Sequence, residues 1–361
     1  MKILYITYID LNAPQTSGSS VRPNKMLHAF LESGHTVKLL SGSTEYIHRT
    51  QRKHSIKEIL SWLENETPDI CYIESSTYPI IFHADRKLIK RIHKLGIPIG
   101  YFYRDFYRKF PKLFPRRKGF VNFIKESFLN ILQYKTDKIL NYADIIYLPS
   151  IQAKRLFDYK DMRALPPAGD NKLIPHPYNK TIIYVGGISK HYGGDLLIEA
   201  FKLLNSDASE YKLMLVCREN EWSKVPEEDK HYPWLQCFHA SGEALAQLYA
   251  AAAAAIITKP DNEYNNLAIS VKLFEYMSYG LPVISTDNDA MSDIIRHYGL
   301  GLIASSAEEL ADAVKSMLNN KDLYDNFCQN TATALNNNNL WANRAEQVVK
   351  DLSALKSNKQ H

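Results

Sequence analysis

Cysteine is scarce in this chain: four among 361 residues, at Cys71, Cys217, Cys237 and Cys328, with no CxxC spacing. That pattern argues against a disulfide framework or a zinc site and for a reducing compartment. Long apolar runs are missing as well. The nearest, "YAAAAAAII" from Tyr249, falls short of the ~20 residues a membrane-spanning helix needs. The opening "MKILYITYI" carries one lysine and breaks at Asp10 without a small-residue cleavage site, so no secretory signal is expected. No GxGxxG follows this first apolar stretch. The "DLNAPQTSGSS" found there is too long and polar for a dinucleotide-binding turn, which disfavours a nicotinamide-dependent oxidoreductase. Low-complexity tracts are absent. The excess of base is small, 44 Lys and Arg against 39 Asp and Glu for a net charge of +5, and does not by itself imply nucleic acid.

What is present is alternation. Apolar strand-like runs ("KILYITYI", "HTVKLLSG", "DICYIES", "IPIGYFYRD", "ADIIYLPS") are separated by segments with apolar residues at helical spacing, such as "VRPNKMLHAFLESG" and "DRKLIKRIHKLG". Such alternation implies α/β architecture with a doubly wound parallel sheet. "LPPAGDNKLIPHP" then concentrates breakers, and the alternation starts afresh with "TIIYVGG". The expected division is an N-terminal domain over 1–165, a linker over 166–178, a C-terminal domain over 179–340, and a final helix over 341–361 returning to the N-terminal domain. Two such domains are expected to leave a cleft between strand C-terminal ends, where open α/β sheets bind ligands.

One stretch breaks a local rule. "SVKLFEYMSYGLPVIST" reads as a helix, a glycine stop and a buried strand, yet it sets Lys272 in the helix's first turn, against the helix dipole. If Ser270 caps the helix, the amides of residues 271–273 face outward, and a bound phosphate would turn Lys272 into a counter-charge. The plainer alternative is that Lys272 reaches water or pairs with Glu275.

The same stretch, with "IIYVGGISKHYGGDLLIEAFKLL" about eighty residues before it and "ESGHTV" in the N-terminal half, resembles the retaining GT-B glycosyltransferases of family four. The "KLFEYM" variant is similar to bacterial enzymes that build capsular or exopolysaccharide chains. The resemblance implies two Rossmann-like domains facing an interdomain cleft, and metal-independent hexosyl transfer from a nucleotide-diphosphate sugar, UDP type, to a lipid-linked glycan. No other cofactor and no metal are implied, and "DND" at Asp287–Asp289 is read as a loop rather than a metal site. Glu275 matches the second glutamate of the family's E-x7-E motif, which accepts from ribose hydroxyls. The first glutamate falls on Leu267, so sugar contacts pass to Asn265, Asn266, the backbone of Leu267, Ala268 and Ile269, or Glu263. Gly187 and Tyr192 stand where the family has basic diphosphate ligands. Gly186, Gly187, Lys190, Arg218, Lys259, Ser270 and Lys272 are therefore the expected donor-phosphate contacts, with Gly18 in the first glycine-containing loop and Arg22 after it. Arg104 and Asp105 occupy the position of a family His-Asp pair, as an anion holder and an acceptor-orienting group, or merely as an ion pair at a sheet edge.

Finally, "FYRKFPKLFPRRKGFVNFIKESFLNIL" interleaves Arg108, Lys109, Lys112, Arg116, Arg117, Lys118 and Lys125 with Phe106, Phe110, Phe114, Phe120 and Phe123. Base among aromatics suits an anionic membrane surface, here expected to contact residues 101–128. It can also suit single-stranded nucleic acid, which is not the expected partner, or be core aromatics under solvated bases. The expected location is cytoplasmic, peripheral on the inner face of the cell membrane, and a homo-oligomer is left open. Two other functions compete: a nucleotide-sugar epimerase, and a non-catalytic transferase-like subunit that docks a partner enzyme.

Overall fold

The computed structural model describes residues 1–11, 18–43, 48–115, 119–208 and 210–358, with the backbone alone at 18–20, 357 and 358. The chain divides into two compact units, one of Met1–Pro166 with Trp341–His361, the other of Pro167–Leu340.

The first unit alternates strands β1 (Lys2–Thr7), β2 (Thr36–Leu40), β3 (Ile70–Glu74), β4 (Ile99–Phe102), β5 (Ile145–Leu148) and β6 (Met162–Ala164) with helices α1 (Gly18–Glu32), α2 (Arg49–Asn65), α3 (His83–Lys94) and α4 (Phe120–Leu140). All strand pairs are parallel, in the order β2-β1-β3-β4-β5-β6. The strands β3, β4 and β5 are buried throughout, as parallel strands covered on both faces must be, and their near-continuous apolar sequence follows from that.

The second unit repeats the plan with β7 (Thr181–Val185), α5 (Gly194–Leu204), β8 (Lys212–Val216), α6 (Glu219–Trp222), β9 (Leu235–Phe238), α7 (Gly242–Ala251), β10 (Ala254–Ile257), α8 (Val271–Tyr279), β11 (Val283–Thr286), α9 (Asp289–Tyr298), β12 (Gly301–Ala304), α10 (Ala307–Leu318) and α11 (Lys321–Asn338). The parallel order is β12-β11-β10-β7-β8-β9. The chain builds outward from β7 to β9, then returns to the other side of β7 with β10. The β7/β10 boundary is therefore the topological switch point, outside whose carboxyl ends α/β sheets bind ligands.

A last helix, α12 (Trp341–Asn358), belongs to the first unit. Its Asp351 carboxylate accepts from Arg163 Nη1 (2.6 Å) and from the Tyr147 hydroxyl (3.1 Å). The breaker-rich stretch from Pro167 to Tyr178 lies on the second unit. There Lys172 N donates to Ser278 O, and the His176 ring lies within hydrogen-bond distance of Ala252 O and Tyr279 O. Among the described residues, no helix is long and apolar enough to cross a membrane.

Candidate functional site

Helix α8 starts at the β7/β10 switch point. The helix is tied to β7 by Tyr276, whose hydroxyl accepts from the backbone N–H of Val185 at the strand's end (2.9 Å). Its carboxyl end stops at Gly280, whose φ of 86° suits glycine. Ser270 is the N-cap residue by backbone geometry, but its hydroxyl accepts no capping bond. The expected cap is thus a backbone cap only.

In the first turn, Lys272 reaches across the end of β7. The residue as a whole is half-buried, but its Nζ is shut off from solvent and has no hydrogen-bond partner. It lies over the Tyr184 ring, 4.3 Å from the centroid. The reading in which Lys272 reaches water is therefore overturned. Gly186, at φ 141°, makes the close approach possible: a Cβ there would fall inside van der Waals contact of Lys272 Nζ and Cε. A second ammonium stands nearby. Lys259, just after β10, lies over the Tyr192 ring at 4.6 Å. Burial pushes the Lys272 ammonium down to about 7, with Lys259 adding to the fall and Glu275 and Glu221 opposing it. Burial lowers Lys259 too. The Glu275 carboxyl is raised by burial, against the Tyr249 hydroxyl and Lys272. Two desolvated cations facing aromatic rings, one with no hydrogen-bond acceptor, form an arrangement suited to an anion.

In the first unit a cavity of about 200 Å³ lies beyond β3 and β4. Ser75, Thr77, Asp105, Arg108, Asn130 and Gln133 are among its walls, a polar set suited to hydroxyl-bearing ligands. Asp105 Oδ2 accepts from Thr77 Oγ1 at 2.7 Å, and burial raises the Asp105 carboxyl above its ordinary range against that bond and the Arg104 charge.

Residues 179–320 match the family Glycosyl transferases group 1. The chain has the GT-B fold, and its second unit carries the region that matches this family. It is similar in structure to a glycosyltransferase from Rickettsia africae ESF-5 (14% identity, TM-score 0.67, covering 99% of each chain). It is likewise similar to Anabaena Alr3699/HepE in complex with UDP (13% identity, TM-score 0.65, covering 98% of this chain and 100% of that one). A third similar structure is WaaG, a glycosyltransferase involved in lipopolysaccharide biosynthesis (15% identity, TM-score 0.63, covering 97% and 99%). At such identities the likeness is one of fold. No curated protein matches the chain in sequence.

Within the matched region, Gly186, Lys259, Lys272 and Glu275 come together at the switch point, while other expected contacts do not. Arg218 is 71% exposed and turned toward Glu221 at 3.6 Å. Lys190 is exposed at the rim of a groove of about 660 Å³ that Tyr192 and Glu221 also line. Asn266 is already engaged: its Nδ2 donates to Asp261 (2.9 Å) and its Oδ1 accepts from Asn288 (3.4 Å). The amides of Leu267 and Ala268 bond to the carbonyl of Tyr264, and Leu267 is fully buried. The sugar contacts expected from Asn266, Leu267 and Ala268 are therefore not free in this structure.

Gly187 and Tyr192, the two positions without the expected basic side chain, share one space. The Tyr192 ring fills the space a side chain at 187 would need, and a Cβ at Gly187 would also stand 2.8 Å from Glu221 Oε2. Tyr184 donates to Gly187 O (2.6 Å), and Ile188 N donates to Glu221 Oε2 (3.0 Å), fixing the loop. Neither Tyr184 nor Tyr192 was expected to face a lysine, since stacking against lysine arises only when strands and loops cross.

Arg22, expected to reach the ligand, is buried instead: its Nε pairs with Glu74 Oε1 at 3.1 Å and its guanidinium lies 3.7 Å from the Phe102 ring centroid. Arg104 Nη2 likewise turns to Glu74 (3.5 Å), not to Asp105. Gly18 opens α1, and Ser17 lies outside the described residues. Phe106 and Phe110 are core residues. The exposed aromatics sit further on, along α4: Phe120 (78%), Phe123 (69%) and Phe128 (56%), joined by Ile124, Ile131 and Tyr134. The opposite face of α4, at Leu129, Leu132, Thr136, Ile139 and Leu140, is buried. Arg116, Arg117 and Lys118 lie outside the described residues.

A desolvated carboxylate with one side-chain bond weakens the fold that holds it. Its raised pKa means that the native state binds more protons than the unfolded chain, so stability falls as pH rises through that window. Asp105→Asn is therefore expected to be more stable than the wild type at pH 7, by on the order of 1 kcal/mol. The gain should vanish below about pH 4, where both states of the aspartate are protonated. Thermal melts across pH check this; a variant less stable at pH 7 would show that Asp105 is held by favourable contacts.

Proposed function

We propose that this chain is a retaining, metal-independent hexosyltransferase that moves a sugar from a UDP sugar to a lipid-linked glycan. The observation that carries the reading is the buried Lys272 ammonium without a hydrogen-bond partner, beside Lys259 and the first turn of α8. A diphosphate complements that pair of cations: two ammonium groups and helix amides can hold the charge that develops as the leaving group departs. Glu275, one turn along the same face of α8, is the acceptor for ribose hydroxyls. The sugar's anomeric carbon loses its bond to the diphosphate oxygen and gains one to the acceptor oxygen on the same face. The acceptor proton passes to the departing phosphate. Asp105 orients the acceptor hydroxyl in the first unit's polar cavity and need not take its proton.

The UDP assignment is supported by the structures of Anabaena Alr3699/HepE with UDP and with UDP-glucose. A lipid-linked acceptor and a place in capsular or exopolysaccharide synthesis are supported by the "KLFEYM" resemblance and by α4. That helix carries an apolar face open to solvent among Lys125, Lys135 and Lys138, which suits an anionic leaflet on the cytoplasmic side of the membrane.

The test is a thermal-shift series with UDP, GDP and TDP. UDP at a hundred times its Kd should stabilise the wild type by about 2.7 kcal/mol. Glu275→Gln should weaken UDP binding about tenfold, the scale of one charge-assisted hydrogen bond. No shift with any nucleotide would overturn the reading, and equal UDP affinity in both proteins would remove Glu275 from the ribose.

A further inference from the structure

The 20-position separation of Cys217 and Cys237 in the chain hides a contact that the parallel sheet creates. Strands β8 and β9 are neighbours, with Leu215 opposite Cys237 and the amide of Cys217 donating to Phe238 O. This register brings Cys217 Sγ to 3.9 Å from Cys237 Sγ at the carboxyl end of the sheet. His239, one residue beyond β9, completes the group: one ligand atom from each of the three residues lies within 4.8 Å of the others. Among the described residues this is the group of metal-ligating side chains found in such proximity.

The separations fit a particular chemistry. Two thiolates bound to one zinc ion at about 2.3 Å in tetrahedral geometry stand about 3.8 Å apart. A disulfide would need the sulfurs at about 2.05 Å, a far larger displacement from where they lie. The imidazole is also arranged as a metal ligand requires. His239 Nδ1 lies 2.8 Å from the Cys217 carbonyl oxygen. An Nδ1–H donating to that carbonyl leaves Nε2 with the lone pair and fixes the ring's orientation. Cys217 is buried, Cys237 half-buried and His239 exposed, so the thiols are sheltered while the group stays reachable from solvent.

We propose that Cys217, Cys237 and His239 form a three-ligand site for zinc, with the fourth position open to water. The ion would pin the edge strand β9 to β8. It takes no part in the transfer step assigned to the lysines.

The test uses the tag-free, full-length, reduced chain titrated with Co²⁺ as a spectroscopic stand-in for zinc. One equivalent should develop thiolate-to-cobalt charge-transfer and tetrahedral d–d bands, displaced by Zn²⁺. Cys217→Ser and Cys237→Ser should abolish the bands, His239→Gln should weaken binding at least tenfold, and Cys328→Ser should leave it unchanged. Absent bands, or bands that survive both cysteine substitutions, would overturn the proposal. A wild-type measurement guards against variants that do not fold: zinc should protect Cys237 from alkylation but not Cys328. Equal alkylation of Cys237 with and without zinc would equally overturn it.

Discussion

Replacing Lys272 with methionine is expected to lower the rate of UDP release from UDP-glucose by about 10²–10³-fold, the loss seen when one preorganised donor to a developing charge is removed. The same change should make the ligand-free protein more stable at neutral pH. Methionine keeps the length that crosses Gly186 and packs on Tyr184, while it removes an ammonium that has neither water nor a hydrogen-bond acceptor. The pH dependence carries the same signature. In the unfolded chain this lysine stays protonated to about pH 10.5, whereas in the fold it sheds its proton near 7. Between those values the unfolded state binds the extra proton, so wild-type stability rises with pH across the window, and Lys272→Met should flatten that rise. A bound diphosphate restores the ammonium, so UDP binding at pH 8 should take up protons. Calorimetry in buffers of different ionisation enthalpy measures that uptake. Wild-type turnover in the variant, or binding without proton uptake, would place the nucleotide away from Lys272.

The second large effect concerns α4. Phe120, Phe123 and Phe128 are exposed, so aspartate at all three should leave the fold intact. Inserting a phenylalanine side chain into an apolar phase contributes about 1.5–3 kcal/mol. The triple variant should therefore lose at least about 100-fold in affinity for vesicles containing phosphatidylglycerol. The wild type should bind those vesicles more tightly than neutral ones, and less tightly as salt rises. Sedimentation with vesicles of both compositions checks this. Equal binding of the triple variant and the wild type would show that α4 faces something other than a bilayer.

These expectations mark where the chain was readable. The strands covered on both faces announce themselves as apolar runs, as in Ile182–Tyr184 and Ile256–Ile257. Helix α8 was visible from Ser270 to Gly280, and Lys272 was visible as a local rule broken. Strands β6, β9 and β12 were not: each has only three or four residues, of mixed polarity in β6 and β9 and opening on a glycine in β12, and exists through its neighbour's hydrogen bonds. Helix α4 escaped notice because it is apolar on two faces: its aromatics read as decoration on a basic segment rather than as a period. Pairings that depend on strand order were illegible in the same way. Nothing local links Cys217 to Cys237, Lys259 to Tyr192, or Arg22 to Glu74. The departures at Gly187 and Tyr192 looked like two separate losses until their shared space was visible.

The first unit borrows its last helix from beyond the second. Leu352 of α12 lies so close to Gly100 in β4 that a Cβ there would stand 3.0 Å from its Cδ1. During synthesis the stretch from Pro167 to Asn358 must emerge before that strand receives its cover, a delay of roughly 10–40 s at about 5–20 residues per second. The inserted unit, being continuous in the chain, can finish first, while the earlier-made half waits on the ribosome with an apolar face unsheathed. The nascent protein is thus most vulnerable to aggregation midway through its own translation.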